Sequence, residues 1–211
     1  MNSQNYQKIL HEIKNTVTLI NSSAQLLNSK CPQLHSEPYW DNIRQEITYL
    51  KNMVLEISQA GNLDSLQKEA LDVNLLIQNA CRYIKDAFPD LQWNLNLCSS
   101  HPIISADKIK LNQAVLNLLK NSAETGSKNI SIATCVSNSY VEITVTDSGG
   151  GIPAGMEHNI FDLFTTTKAQ GTGLGLAITK QIAENHGGTL HFVNRPNEGC
   201  DFTIRLPLEA E

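Results

Sequence analysis

The chain has 211 residues, 41% hydrophobic and 18% charged, which is enough to bury a core and rules out a wholly disordered segment. A net charge of −5 argues against a nucleic-acid binder, which presents a basic face, and no apolar run approaches the ~18 residues of a membrane span. The N-terminus is polar rather than a leader, and Cys31, Cys81, Cys98, Cys135 and Cys200 are scattered without a CxxC pair, as expected of reduced thiols in a cytoplasmic protein.

Residues 4–29 predict a long amphipathic helix in which Ile9, Ile13, Ile20, Ala24 and Leu27 recur at helical spacings. Pro32 and Pro38 interrupt the pattern, because proline starts or ends helices and rarely sits inside them. Residues 39–60 predict a second helix, its stripe of Ile43, Ile47, Leu50, Val54 and Ile57 spaced as in a coiled-coil seam. An antiparallel hairpin of these two helices cannot bury both stripes. Two copies packed as a four-helix bundle can, so a homodimer is expected.

Gly61 and Asn62 are read as the end of the second helix and 61–72 as a linker. This divides the chain into a helical hairpin over 1–62 and a second domain over 63–211. Within the second domain, 73–87 predicts a helix, the alternation from Leu91 to Leu97 a strand, and 106–125 another helix. Residues 129–136 and 140–147 predict a hairpin around Ser137-Asn138-Ser139. A helix over 172–186 stops at Gly187-Gly188, and two strands follow near 189–193 and 201–206. Helices interleaved with strands and covering one sheet face predict an α/β sandwich, so the whole chain is α+β.

Four clusters could carry chemistry. A strand ending in Asp147 sets a carboxylate where it can accept from an exocyclic amine such as adenine's, and Gly149, Gly150 and Gly151 let the backbone approach a flat base. A plain glycine turn after a strand explains that segment equally well. Gly171, Gly173 and Gly175 alternate before a helical pattern starting at Leu174, where backbone N–H groups can converge on phosphate. Asn117 and Asn121 share one helical face beside Lys120, and amide oxygens can ligate Mg²⁺, although an unlinked pair is more often two surface asparagines. His11 falls off the apolar stripe of the first helix and should face solvent as a nucleophile, with Glu12 available to take the other ring proton. Asn15, one turn on, could hold a water near it. Taken alone, His11 reads most simply as an ordinary exposed histidine. His35, His101, His158, His186 and His191 lack such surroundings and read as structural or incidental.

The order of these motifs resembles the catalytic core of sensor histidine kinases, in the GHKL superfamily of Bergerat-fold ATPases. His11 to Thr16 is similar to that family's H-box, Asn117 to Glu124 to the N-box, and Asp147 to Ile152 to the first glycine box. Phe161 to Lys168 resembles the F-box and the entrance to the lid, and Gly171 to Leu176 the second glycine box. The resemblance covers essentially the whole chain. It implies a Bergerat-fold ATP-binding domain after a dimerisation and phosphotransfer hairpin. It implies His11 as phosphoacceptor with Glu12 as its base, and Asn15 supporting the reverse hydrolysis. It implies Asn121 on Mg²⁺ and Asn117 and Lys120 nearer the phosphates. Asp147, Gly149, Gly151 and Ile152 would lie around the base, and Phe164, Thr166, Thr167 and Lys168 would lead into a mobile lid over roughly 162–172. Gly171, Thr172, Gly173, Leu174, Gly175 and Leu176 would cradle the phosphates.

The implied activity is ATP-dependent autophosphorylation of His11 and transfer to an aspartate on a response-regulator receiver domain, with phosphatase action on that regulator also open. Related hydrolases carry a glutamate at the Asn117 position; an amide cannot act as a base, which favours transfer over hydrolysis. A phosphorelay scaffold with a degenerate ATPase and a serine kinase of the anti-sigma type are the competing readings. Thr16 stands where many relatives have a proline, so a straighter first helix is expected. His11 lies so near Met1 that the signal is expected from a separate partner or from a removed N-terminal sensor. Neither nucleic acid nor direct membrane contact is expected.

Overall fold

The computed structural model describes residues 3–60, 66–168 and 171–208. The chain divides into two compact units: Met1–Asn62 with Phe164–Leu174, and Leu63–Leu163 with Gly175–Glu211. The expected helix end at Gly61-Asn62 and the side chain of Ile9 lie outside the described residues.

In the first unit, α1 (Ser3–Lys30) and α2 (Pro38–Ala60) flank a 3₁₀ turn at Pro32–Ser36. Prolines open that turn and α2, where a missing N–H costs nothing. The turn is tied down by Trp40, whose indole N–H donates to Asn28 Oδ1 at 2.9 Å. α1 runs through Thr16 without interruption, and the Thr16 hydroxyl donates to the Glu12 carbonyl at 2.9 Å. Leu10, Val17 and Val54 form the buried cluster, with Ile57 packed against it. The stripe read from the sequence is therefore only partly the intrachain contact. Ile47 and Val54 are buried, but Ile13, Ile20, Leu27, Ile43 and Leu50 remain 43–48% exposed. Two helices side by side can cover only part of such broad apolar faces.

In the second unit, the five-stranded sheet has the order β2-β4-β5-β7-β6. Its strands are β2 (Gln92–Asn96), β4 (Asn129–Ser137), β5 (Tyr140–Asp147), β6 (Thr189–Arg195) and β7 (Gly199–Pro207). β2 runs parallel to β4 and the other pairs are antiparallel. Burial alternates with period two: Val141, Ile143, Val145 and Asp147 of β5 and Phe202, Ile204 and Leu206 of β7 are buried. Three helices cover that sheet face: α3 (Val73–Ala87), α4 (Lys108–Ala123) and α5 (Gly175–Asn185). α4 packs on β5, α5 on β6 and β7, and α3 on α4. Leu111, Val115, Leu118 and Leu119 of α4 are fully buried.

Two short strands, β1 (Glu69–Asp72) and β3 (Ile103–Ala106), pair antiparallel beside the sheet. The sequence reading placed β1 in a linker and did not identify β3. Each leads directly into a helix. Asp72 caps α3 by accepting from Leu75 N–H, and Asp107 caps α4 by accepting from Ile109 and Lys110 N–H at 3.1 Å each. The small sheet thus fixes where α3 and α4 begin.

Candidate functional site

In the second unit the site is organised along α4. Asn117 and Asn121 are half-buried on one face of that helix. Asn117 Nδ2 donates to the Gly175 carbonyl at 3.3 Å, and the Thr179 hydroxyl donates to the same carbonyl at 2.8 Å. The first turn of α5, with its free backbone N–H groups, is thereby set beside Asn117. The expected start of that helix at 172 moves to Gly175; Thr172 to Leu174 form a loop. Leu176 is half-buried in the first turn. Lys120 is exposed and pairs with Glu124 at 3.9 Å.

Asp147 ends β5, the central strand of the sheet, and is 2% exposed. Its Oδ1 accepts from Gly149 N–H at 2.9 Å and lies 3.4 Å from the Thr125 hydroxyl, just past the end of α4. Its Oδ2 is buried with no hydrogen-bond partner among the described residues. A buried carboxylate oxygen without a donor requires an explanation, and a ligand N–H is a fitting one. α4 thus borders both ends of the site, Asn117 at the start of α5 and its C-terminal end at Asp147.

The loop after Asp147 is held by residues that the sequence reading missed. Gly151 has φ +72, and a Cβ there would sit 2.8 Å from Asn194 Oδ1 and 2.9 Å from the Arg195 carbonyl, so glycine is required. Asn194 grips Ile152 through both its groups: Oδ1 accepts from Ile152 N–H at 2.8 Å and Nδ2 donates to the Ile152 carbonyl at 3.0 Å. Asn197 N–H donates to the Gly150 carbonyl at 3.0 Å. The β6–β7 turn carrying these groups is stapled by a forked ion pair from Arg195 to Asp201, which holds the Asp201 carboxyl below its ordinary range. Burial, with the Asp147 and Asp201 carboxylates nearby, pushes the Cys200 thiol up to about 12, so it is inert at neutral pH.

In the first unit, local hydrogen bonds link described residues of 164–168 and 171–174. Phe164 N–H donates to the Gly173 carbonyl at 3.0 Å. Gly173 has φ +68, and a Cβ there would fall on the Phe164 backbone, 2.6 Å from Thr165 N. Thr166 Oγ1 accepts from Lys168 N–H at 3.1 Å, and Gly171 N–H donates to the Lys168 carbonyl at 3.1 Å. Thr167 is exposed and Leu174 buried. The Thr172 hydroxyl donates to the Glu56 carboxylate on α2.

His11 is exposed on α1, as is Glu12. The group in hydrogen-bond contact with the ring is the Asn15 amide, 3.2 Å from Nδ1. That contact engages Nδ1 of the imidazole.

The family model of histidine kinase-, DNA gyrase B- and HSP90-like ATPases matches residues 106–210. The chain is 33% identical over 205 residues to the sensor histidine kinase ZraS of Escherichia coli (strain K12), covering 95% of this chain and 44% of that protein. Full-length ShkA in complex with AMPPNP superimposes over 100% of this chain and 47% of its own, with a TM-score of 0.82 at 20% identity. The ATP binding domain of PrrB from Mycobacterium tuberculosis is 30% identical, with a TM-score of 0.58, over 68% of this chain and 98% of that one. The chain spans roughly a third to a half of the length of the curated relatives it matches.

Proposed function

We propose that this chain, which belongs to the sensor histidine kinases of the GHKL superfamily, uses Mg-ATP to phosphorylate His11 and passes the phosphoryl group to an aspartate of a response-regulator receiver domain. The observation that carries the ATP-binding part is the unpartnered, buried Asp147 Oδ2. It matches the exocyclic amine of adenine, while Gly149 N–H keeps the other oxygen occupied and the side chain fixed.

The chemistry follows from the groups available. His11 Nε2 attacks the γ-phosphorus of ATP, the bond from that phosphorus to the bridging oxygen breaks, and ADP leaves. The Nδ1 side of the ring gives up its proton to solvent or to Glu12. The Asn15 amide orients the ring, presenting oxygen or NH₂ by a half turn. Backbone N–H groups at the start of α5 would receive the phosphates. The amide oxygen of Asn121 is a hard neutral donor that would hold Mg²⁺, which when bound would supply positive charge against the phosphates, with Asn117 nearer the phosphates themselves. Lys120 adds positive charge on the same helix.

The open halves of the α1 and α2 stripes support a homodimer built as a four-helix bundle. No described helix is long and apolar enough to cross a membrane. Phosphatase action on the regulator, with Asn15 holding a water near His11, belongs to the same reading.

Incubation with γ-labelled ATP and Mg²⁺ tests the proposal. An acid-labile, base-stable label on the wild type and none on His11→Gln is expected. An acid-stable label indicates a serine kinase instead, and ATP binding without any label indicates a scaffold.

A further inference from the structure

His186, at the C-terminal end of α5, is a buried histidine outside the groups used above, and it is 4% exposed. Its Nδ1 lies 2.8 Å from the Ile182 carbonyl, which can only accept, so Nδ1 carries the ring proton. Its Nε2 lies 2.9 Å from the backbone N–H of Asp107, which can only donate, so Nε2 is a lone pair. The two contacts fix both the tautomer and the charge. The ring is neutral, and a second proton at Nε2 would face an N–H.

Asp107 is itself the N-cap of α4. Its Oδ1 caps Ile109 and Lys110, and its Oδ2 accepts from Gln67 N–H at 3.0 Å. α4 and α5 are therefore tied at two places. Asp107 to His186 joins the start of α4 to the end of α5, and Asn117 to Gly175 joins the middle of α4 to the start of α5. The helices run antiparallel, and the second tie is the one at the phosphate end.

We propose that His186 is a positioning residue for the nucleotide site, a neutral latch that fixes how α4 lies on α5 and releases when protonated, so that acidification weakens nucleotide binding through the α4–α5 geometry. This rests on the nucleotide reading of the site. Two charged groups act on the ring: Lys68, before β1, opposes its protonation, and Asp107 favours it. Burial is the dominant influence and holds the imidazole below its ordinary 6.5. A lone pair committed to Asp107 N–H adds to the resistance, so the latch is closed at neutral pH and opens as the pH falls below that value.

Glutamine places an amide oxygen near the Nε2 position, keeping an acceptor for Asp107 without a titrating group. Asparagine reaches only the Nδ1 position and keeps the Ile182 contact alone. Binding of a fluorescent ATP analogue with Mg²⁺ to the full chain is measured from about pH 7.5 to about pH 5.5 for wild type, His186→Gln and His186→Asn. The nucleotide phosphate also titrates in this range, equally for all three, so the difference between variants reads His186. The expected result is wild-type affinity falling about fivefold more than that of His186→Gln, with His186→Asn weaker at both ends. Parallel pH profiles for wild type and His186→Gln overturn the latch. Amide exchange at Asp107 separates this from the nucleotide reading. If the wild type binds no ATP at all, that reading fails, while the latch still predicts slow Asp107 exchange in wild type and His186→Gln and fast exchange in His186→Asn. Equal exchange in the three proteins overturns it.

Discussion

Asn117 donates to the Gly175 carbonyl at 3.3 Å, so an amide on α4 holds the first turn of α5 in place. A carboxylate at position 117 cannot donate and would repel that carbonyl. Asn117→Asp should retain the fold by circular dichroism but lower ATP affinity by about tenfold, as expected when a half-buried donor is lost and, on the proposed reading, a charge is added near phosphate. Affinity within twofold of wild type would show that Asn117 does not shape the site.

Asp147 makes a parallel prediction at the other end of the site. Asp147→Asn swaps an acceptor-only group for one that must turn an NH₂ toward either Gly149 N–H or the ligand. ATP and ADP affinities should fall together by about tenfold or more, because both carry the same base. Titration calorimetry would show it. A loss for ATP alone would place Asp147 at the phosphates instead.

The Thr172 hydroxyl in the second glycine box is engaged by Glu56. If Thr172 serves a phosphate, as the proposed reading has it, that phosphate would compete with this carboxylate for one donor. Glu56→Ala should therefore tighten ATP binding by about two- to fivefold, whereas weaker binding would mean that Glu56 supports the bound state.

Stability should depend on pH in two steps. His186 has a lowered pKa because burial disfavours its charged form, so the unfolded chain takes up the proton first. Its contribution is complete above about 6.5 and is lost as the pH falls below that value. For Asp107, burial pushes the carboxyl up, but N–H bonds from Lys110, Gln67 and Ile109 outweigh it and the net shift is downward. Arg195 lowers Asp201 in the same sense. These contributions are present above about pH 4 and lost as the pH falls through the lowered values. Thermal melts of wild type should decline in both ranges, and His186→Gln should lack the upper step. A wild-type melt that is flat between about pH 7 and about pH 5 contradicts this.

What the sequence made legible is what local periodicity encodes. α1, α2, α3, α4 and the β4–β5 hairpin are long and strongly periodic, and they were placed to within a few residues. β1 and β3 have four residues each, too short for alternation to stand out. The seam in α1 and α2 could be read, but not which half meets its own chain: burial of Leu10 and Val17 rather than Ile13 and Ile20 depends on how the hairpin closes. At the site, the glycines, Asp147 and the asparagines announce themselves. Their supports do not, since Thr125, Asn194 and His186 act on partners 22, 42 and 79 residues away. No window of sequence contains both members of such a pair, so the sequence leaves His186 as structural or incidental without showing which.

The central claim is that His11 accepts the phosphoryl group of ATP. Tryptic mass spectrometry kept at neutral pH, after brief incubation of the full chain with Mg-ATP, addresses it most directly. The account predicts the phosphoryl mass on the peptide Ile9–Lys14 and its disappearance in Asn121→Ala. A phosphoryl group found only on a serine or threonine, or on no peptide while ATP is bound, would contradict it.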